Sequence, residues 1–402
     1  MFKSVMVFFI VICITLPVSG QGNNYLSEVS SKVEAEKEET GVDYIHRGIL
    51  IKEATYTGDF AGNLNGGYKR GATFLGMANL KIGAETKDMG LWQGGEVFIN
   101  GACTHGGMPS SQLIGDLQVA SNIEAGNRIY LHEFWFKQSF EKSEFSFGLL
   151  DLNADFVVSE YASSFVNSSF GIPSMISNNI PLPIFPMTSL GVTAKISLSE
   201  SVSLLTAIYD GLPDDTKGNN YNLKWELHKD DGVLLISELQ YSNNLFDLPA
   251  QIKSGFYYHS GLHEYDAETN EKTCIFNKNY GLYFIYDQLI KNFNDNSGIG
   301  IFSQLTFSPS KINSHNYYIG GGINYFGVFD DSGTDAFGLA FAYAGFIQSD
   351  CPNETTIELF YKKEITSNLT IQPDIQYIIN PIGMGKTLNN ALAAFLRFGI
   401  NF

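Results

Sequence analysis

The chain has 402 residues, of which 44% are hydrophobic and 14% aromatic, and a formal net charge of −17 at pH 7. Proteins that bind phosphate backbones present a basic surface, so this charge argues against a nucleic-acid-binding protein. Beyond residue 20, no segment approaches the ~18 consecutive apolar residues that a membrane-spanning helix requires. The length is sufficient for one large barrel or for two ordinary domains.

The beginning of the chain has the order of an export signal. In residues 1–20 a basic start is followed by an apolar run and then by small residues, which predicts a signal peptide that is cleaved during secretion. Residues 21–47 are polar and acidic, and we expect them to form a periplasmic lead-in outside the core. The predicted barrel domain comprises residues 48–402.

From residue 48 onward, apolar and polar residues alternate with a period of two, which predicts β-strands and almost no amphipathic helix. The predicted strands are 48–58, 68–82, 91–101, 127–140, 144–154, 188–198, 202–210, 232–242, 250–260, 278–288, 298–308, 315–326, 336–347, 354–364, 369–379 and 392–402. Tyr221–Leu227 also alternates, but we assign it to a loop. The predicted fold class is all-β, a transmembrane antiparallel β-barrel. The strand list agrees with this prediction, because sixteen is an even number, as single-chain bacterial barrels require.

The last strand has two different faces. Its even positions, from Leu392 to Phe402, are all apolar, whereas its odd positions include Arg397 and Asn401. Strands of outer-membrane barrels place apolar side chains in lipid and polar or small ones in the lumen. The pattern is typical of the closing strand of an outer-membrane barrel. This stretch alone does not exclude the last strand of a soluble sandwich, and the export signal at the other end of the chain argues against that alternative.

The lengths of the predicted connections alternate. The connections after even strands include short turns, at 141–143, 199–201 and 365–368, and those after odd strands include the longest ones, at 102–126, 155–188 and 211–231. Outer-membrane barrels have short periplasmic turns and long extracellular loops. This asymmetry is not expected of a soluble sandwich.

A series of motifs covers the first half of the exported chain. They are YTGDFAGNLNGG (56–67), KRGATFLG (69–76), THGGMPS (104–110), GDLQVASNIEA (115–125), EFWFKQSF (133–140), DLN (151–153), FVNSSFGIP (165–173), IFPMTSLGV (184–192) and YDGLP (209–213). In this order and spacing they resemble the carbohydrate-selective porins of Gram-negative outer membranes, the OprB family. The second half resembles the family mainly in architecture, with a local match at 231–235.

The resemblance implies a sixteen-stranded pore whose extracellular loops fold inward and narrow it. The implied function is passive diffusion of monosaccharides or small oligosaccharides across the outer membrane, and the sugar is not specified. A general, weakly selective porin for small solutes and a non-conducting surface sugar-binding protein are the alternatives. A barrel hydrolase is disfavoured because no nucleophile–base constellation stands out, so we expect no enzymatic activity.

The expected partners are sugars as transported solutes and the lipid of the outer membrane, without nucleic acid. The oligomeric state is left open between a monomer and a trimer. No cofactor is predicted. His259 and His263 are four residues apart and Glu264 follows, but this spacing would form a metal site on a helix, whereas the surroundings predict a strand end. The exported chain retains Cys103, Cys274 and Cys351, an odd number that allows at most one disulfide.

Candidate pore-lining residues follow from the alternation. A sugar needs hydrogen-bonding groups for its hydroxyls and a flat apolar surface for its ring, in a site weak enough to release it. On strand 127–140, Glu133, Trp135 and Lys137 share one face, opposite Phe134 and Phe136. If the phenylalanines face lipid, the other three side chains line the pore. In the alternative interpretation, Trp135 only fills the barrel wall.

The same logic makes Glu96 and Asn100 lumen candidates, because they alternate with apolar residues on strand 91–101. Asp151 and Asn153 lie where a strand meets a long loop. There they either cap a turn, as Asp and Asn often do, or stand at the mouth of the constriction.

Asn167 and Phe170 belong to the loop segment that we expect to fold into the pore. Arg70 is a third kind of candidate, since the family resemblance favours a pore-lining arginine near it. In an unbroken strand, however, Arg70 shares the lipid-facing side with Phe74, so it must lie beyond the lipid edge or be turned inward by a bulge. Lys69 is the inward choice if neither holds.

Overall fold

The computed structural model describes residues 49–213, 218–261, 263–266, 273–276, 278–329, 333–346, 353–383 and 387–402. The predicted signal peptide, the lead-in, Cys351 and the side chain of Cys274 lie outside this description. No helix in the described part of the chain is long and apolar enough to cross a membrane.

The described residues form eighteen strands. They are β1 (Ile49–Asn65), β2 (Gly71–Glu85), β3 (Gly95–Gly106), β4 (Arg128–Ser139), β5 (Ser143–Leu150), β6 (Ser189–Ser197), β7 (Val202–Asp210), β8 (Val233–Leu245), β9 (Leu248–His259), β10 (His263–Asp266), β11 (Thr273–Phe276), β12 (Asn279–Asn294), β13 (Ser297–Phe307), β14 (His315–Phe326), β15 (Asp335–Phe346), β16 (Glu354–Thr366), β17 (Leu369–Ile379) and β18 (Ala391–Asn401).

Sixteen of these strands close into one antiparallel barrel in sequence order, with β18 paired to β1, while β10 and β11 form a separate two-stranded hairpin. Each predicted strand corresponds to one barrel strand, which confirms the sixteen-stranded fold. The β10–β11 hairpin was not predicted. The strand predicted at 144–154 ends earlier, at Leu150, because Asp151 caps a 3₁₀ turn at Leu152–Ala154.

The two faces of the closing strand are arranged as the alternation predicts. Phe395 and Arg397 of β18 face inward, where Phe395 is buried in an apolar cluster and Arg397 bonds Asp59 of β1. Leu396 lies between them on the outer face and is exposed. Phe398 is also outward, in contact with other outward-facing aromatic rings. The outer face is therefore apolar and exposed.

The lumen is largely filled by the connections that leave β3 and β5. These contain a π turn (Ser110–Ile114), two 3₁₀ turns (Leu152–Ala154 and Ala162–Ser164) and two short helices, α1 (Ser168–Gly171) and α2 (Ser174–Ser177). One-turn helices are not stable in isolation, so tertiary packing must hold them. Phe165 and Phe170 supply that packing by contacting Phe302 of the wall, with Phe165 and Phe302 ring centroids 5.6 Å apart.

Four buried carboxylates of the inner wall hold these connections by accepting hydrogen bonds from their backbone N–H groups. Glu354 accepts from Leu117 and Gln118, Glu238 from Val157, Asp287 from Tyr161, and Glu358 from Val166 and Asn167. We call Glu238, Asp287, Glu354 and Glu358 the loop anchors. A buried backbone N–H without a partner costs free energy comparable to a lost hydrogen bond, so these acceptors stabilise the inserted connections. These bonds hold the β3–β4 and β5–β6 connections against the inner wall.

The loops leave part of the lumen open. Inner residues of β7–β16 such as Leu205, Tyr257 and Phe360 are buried in the apolar cluster around the β5–β6 connection. Inward lysines of β2 and β4, in contrast, keep about a third of their side-chain surface exposed, at 31% for Lys81 and 30% for Lys137. The part of the lumen that the loops leave open therefore borders the wall formed by β1–β6.

The end of β18 provides a test of how the pair β1–β18 closes the barrel. Phe402 follows β18, and its backbone N–H donates to the Ala54 carbonyl of β1 at 2.9 Å. We expect deletion of Phe402 to impair assembly in the outer membrane, because it removes the last apolar residue and the last hydrogen bond of the closing pair. The folded fraction in isolated outer membranes measures this, with Phe402→Tyr as a control that keeps both groups. Normal insertion of the deletion variant would contradict the closing role of this residue.

Candidate functional site

A β-bulge in β4 sets the direction of the candidate pore-lining side chains. Glu133 pairs with Asn100 and Leu131 with Gly101, so His132 is an extra residue without a partner opposite it. A bulge of this kind re-aims the side chains that follow. Beyond His132, the side chains of Glu133, Trp135 and Lys137 face the lumen, and Phe134 is exposed on the outer face.

Trp135 is held flat against the wall. Its ring stacks on Phe98 of β3, with centroids 4.6 Å apart and an angle of 16° between the planes. Opposite Trp135 on β5 stands Gly148, at φ 139°. A Cβ at Gly148 would come within 2.3 Å of the Phe134 carbonyl oxygen and 3.0 Å of the Trp135 Cβ. Only glycine permits this close approach of β5 to β4. The Trp135 and Phe98 rings together form one aromatic surface.

Polar groups surround this surface. The indole N–H of Trp135 donates to Glu133 Oε1 at 3.3 Å, and the Asn100 amide donates to Glu133 Oε2 at 3.2 Å. Lys137 Nζ lies 5.5 Å from the Trp135 ring centroid and 2.9 Å from Glu96 Oε2. Glu133 and Asn100 are buried, so they position Trp135, while Lys137, Glu96 and the indole are only partly buried. The indole also packs against the apolar cluster of the β5–β6 connection.

The bulge also fastens the root of the β5–β6 connection. His132 Nε2 lies 3.0 Å from Asp151 Oδ2, at the start of that connection, and the Thr188 hydroxyl, at its end, donates to the His132 carbonyl at 2.6 Å. Asp151 in addition caps the following turn by accepting from Asn153 N–H at 2.8 Å. The turn-capping interpretation of Asp151 is therefore correct, and its contact with His132 is a second role. The side chain of Asn153 is used locally, since its amide donates to the Phe156 carbonyl.

Sequence reasoning missed His132. The signal in the chain is a pair of consecutive polar residues, His132 and Glu133, between the apolar stretches 129–131 and 134–136. Such a break in period two marks a bulge or a register change. It indicates that even-numbered residues face the lumen before the break and odd-numbered residues face it after the break.

Asn167 and Phe170 lie inside the barrel, as expected of this segment, but both are buried. The Asn167 amide donates to Gln376 Oε1 of β17 at 3.2 Å, and the Phe170 ring packs 4.8 Å from that of Phe165. Neither side chain presents a surface to a passing solute. Their part is to hold the loop against the wall, which corrects their assignment as pore-lining residues.

Arg70 lies in the connection between β1 and β2, ahead of the first residue of β2. It is exposed, and its guanidinium donates to Asn65 Oδ1 at 2.8 Å. This connection is at the long-loop end of the barrel, so Arg70 lies outside the regular strands. Arg70 does not belong to the inner face formed by β3 and β4, and its assignment as a pore-lining residue is corrected accordingly.

No group of three His, Cys, Asp or Glu side chains is placed to hold a metal ion in the described ranges. His259 uses both ring nitrogens within the fold: Nε2 donates to the Gly211 carbonyl at 2.6 Å and Nδ1 accepts from Gly261 N–H at 3.0 Å. Cys103 carries a free thiol, on the outward-facing parity of β3.

Two carboxyls in the β3–β4 connection make its attachment depend on pH. Burial raises the pKa of Glu124 to about 7 and that of Asp116 to about 6. Both values exceed those of the unfolded chain, so the folded state binds more protons between about pH 4 and about pH 7. The stability of the inserted connection therefore falls as the pH rises through this window.

We expect residues 107–127 to be cleaved by proteases more slowly at about pH 5 than at about pH 8. The free energy needed to detach the connection should be larger at the lower pH by an amount on the order of 1–3 kcal/mol. Glu124→Gln keeps an acceptor for Ser110 N–H and removes one of the two titrations, so its cleavage rate should vary less with pH. Equal pH dependence in the two proteins would show that Glu124 does not contribute.

Comparison with known proteins gives the same result as the fold. The family model described as carbohydrate-selective porin, OprB family, matches residues 69–402. Porin B of Pseudomonas aeruginosa is 23% identical over 393 residues, covering 85% of each chain. A high-pH structure of Pseudomonas putida OprB matches with a TM-score of 0.78 and 20% identity, over 89% of this chain and 94% of that one. A low-pH structure of the same protein has a TM-score of 0.58, 17% identity and coverage of 96% and 100%. The chain therefore belongs to the OprB family of carbohydrate-selective porins.

Proposed function

We propose that sugars cross the barrel along the passage bordered by β1–β6 and touch the aromatic surface of Trp135 on their way. The observation that carries this proposal is the position of the indole. It is stacked on Phe98, held by Glu133 and flanked by Lys137 and Glu96. It packs on one side against the loop cluster and is only partly buried.

The chain is a carbohydrate-selective porin of the outer membrane and not an enzyme. We propose monosaccharides or small oligosaccharides as the solutes and passive diffusion as the process. The outward-facing apolar side chains of the barrel, such as Phe60, Phe147 and Ile208, are the proposed contacts with lipid.

The chemistry of the Trp135 surface suits a sugar ring. The indole offers a flat apolar face to the C–H groups of the ring, while the Lys137 ammonium and the Glu96 carboxylate offer a donor and acceptors to its hydroxyls. Glu96 is itself bridged by Lys52 and Lys137, so its charge is compensated. Such a site attracts a neutral polyol without holding it tightly, as conduction requires.

Single-channel conductance in a planar bilayer, with glucose and then other sugars titrated in, tests this proposal. We expect the wild-type current to show sugar-dependent block. Trp135→Ala should raise the half-blocking concentration roughly tenfold, equivalent to about 1.4 kcal/mol, with assembly intact.

Phe134→Ala is the matched control, because Phe134 is the next residue of β4 and faces outward. Its block should equal that of the wild type. Equal block in Trp135→Ala and wild type would remove Trp135 from the site. Current without any block would favour a general porin, and a folded barrel without current would favour a sugar-binding protein.

A further inference from the structure

The barrel wall is low at β5, β6 and β7. These strands have eight, nine and nine residues, whereas the flanking β4 and β8 have 12 and 13. Eight residues at ~3.4 Å each, tilted by ~45°, rise about 19 Å, and the apolar band of such barrels is ~25 Å tall. In the described structure the pairing of β4 with β5 stops at Phe134 and Leu149. The long-loop end of β4 therefore has an open edge.

A segment of the β7–β8 connection covers this edge. The Leu131 N–H of β4 donates to the Tyr221 carbonyl at 3.0 Å, and the Asn222 amide donates to the Leu131 carbonyl at 3.0 Å. The Arg128 guanidinium, at the end of β4, donates to the carbonyls of Asn219 and Asn220. Unpaired N–H and C=O groups of an edge strand are normally covered in this way. We call residues 219–228 the lateral segment.

The lateral segment is amphipathic. Leu223, Trp225 and Leu227 alternate with Lys224, Glu226 and His228 in a stretch that is neither helix nor regular strand. Leu223 and Leu227 are 65% and 70% exposed, far more than apolar side chains in water normally are. Alternation with exposed apolar residues is the pattern of a two-sided wall element.

The apolar side of the lateral segment continues the lipid-facing surface of the barrel. The Trp225 ring lies 5.9 Å from that of Phe134, which faces outward from β4. Leu149, paired with Phe134 on the same outer face, is 1% exposed, so protein covers the barrel wall at this point. The segment thus adds height to the outer wall where β5 ends.

Several polar atoms in the first half of the lateral segment are paired within it. The Asn219 side chain accepts from the N–H groups of Leu223 and Lys224 and donates to the Lys224 carbonyl. The Trp225 indole N–H donates to the Asn222 carbonyl at 2.8 Å. Irregular backbone next to lipid is tolerated only where its polar groups have such partners.

We propose that the lateral segment lies against the outer wall within the outer leaflet, with Leu223 and Leu227 in contact with lipid acyl chains. Lys224 and Glu226 point to the headgroups and water. The segment completes the hydrophobic wall above the short strands β5–β7. The inference rests on the position of the chain in the outer membrane, and its occupant is lipid rather than a second protein.

Nitroxide spin labels at single cysteines test this inference in phosphatidylcholine proteoliposomes. The full-length exported chain carries Cys103→Ser, Cys274→Ser and Cys351→Ser, and each label is tested for collisions with oxygen, which is enriched in hydrocarbon, and with a water-soluble nickel chelate. Leu223→Cys should show a ratio of oxygen to nickel accessibility several-fold above that of Lys224→Cys. Ile208→Cys, on the outer face of β7, is the reference for lipid contact.

If the label at Leu223→Cys is accessible to nickel while the label at Ile208→Cys is accessible to oxygen, the inference is wrong. The lipid contact of the barrel wall itself would not be affected by that result. Nickel access at both positions would overturn the inference together with the assumed lipid-facing wall. Spectral broadening at Leu223→Cys that disappears on dilution with unlabelled protein would also overturn it, in favour of a contact between two copies of the chain.

Discussion

Replacing Glu358 with alanine is expected to detach part of the β5–β6 connection from the wall and to raise the single-channel conductance. Glu358 is buried and accepts hydrogen bonds from the N–H groups of Val166 and Asn167. Each donor left buried without a partner costs about 1–3 kcal/mol, so the inserted conformation loses roughly 2–6 kcal/mol. Conductance in a planar bilayer and protease cleavage between residues 155 and 188 measure the change.

The other loop anchors limit how far the connection moves. Glu238 still holds Val157 and Asp287 still holds Tyr161, so we expect movement mainly around Asn167. Glu358→Gln is an intermediate case, because its amide oxygen replaces only one of the two acceptor oxygens and its NH2 group faces the other N–H, so its conductance should lie between those of the wild type and Glu358→Ala. Glu364→Ala, on the same strand but opposite Thr370 near the short-turn end, is the control. Unchanged conductance in Glu358→Ala would mean that Glu358 does not hold the loop.

The strands could be predicted because the sequence pattern of a barrel wall is determined locally, within each strand. Each strand separates lipid from lumen, so its residues alternate, and the connections alternate between short and long. This pattern places Glu96, Asn100, Glu133, Trp135 and Lys137 on one inner face, where the structure has them. It fails at Arg70, which lies before the first residue of β2, because alternation does not indicate where a strand begins.

The filling of the lumen could not be read from alternation. Glu354 and Glu358 are inward-facing by parity, but the groups they bind are more than 190 positions away in the chain. The partner of a wall carboxylate is a backbone N–H, which every residue except proline possesses, so no sequence motif marks it. For the same reason Asn167 and Phe170 were expected to touch solute, whereas the structure uses them to pack the loop.

In the lateral segment, a strand-like sequence pattern occurs without a barrel strand. Its alternation is as regular as that of a strand, yet it contributes no strand to the barrel. Asn222 has φ 52°, in the left-handed region that interrupts extended backbone. The alternation there does not by itself produce a barrel strand, and the backbone is interrupted at Asn222, directly before the alternating residues.

Replacing Arg397 with methionine is expected to destabilise the folded barrel by about 3–5 kcal/mol, because it leaves the Asp59 carboxylate buried without its partner. Arg397 Nε and Nη2 each donate to Asp59 at 2.8 Å, across the pair β1–β18 that closes the barrel. Nη2 also donates to Asn122 Oδ1 at 2.8 Å, which ties the β3–β4 connection to the same point. The temperature at which the folded band disappears in detergent gel electrophoresis measures the loss.

The double variant Asp59→Leu with Arg397→Met separates a lost attraction from an uncompensated charge. Removing both charges should cost less than removing Arg397 alone, because no ion is then left buried. Lys81→Met is the matched control, since Lys81 and Glu53 also bridge β1 to a neighbouring strand at 2.7 Å but are 31% and 43% exposed. An exposed pair contributes about 0–1 kcal/mol, so this variant should unfold near the wild-type temperature. If Arg397→Met did the same, the closing pair would owe its stability to backbone hydrogen bonds and apolar packing instead of to this ion pair.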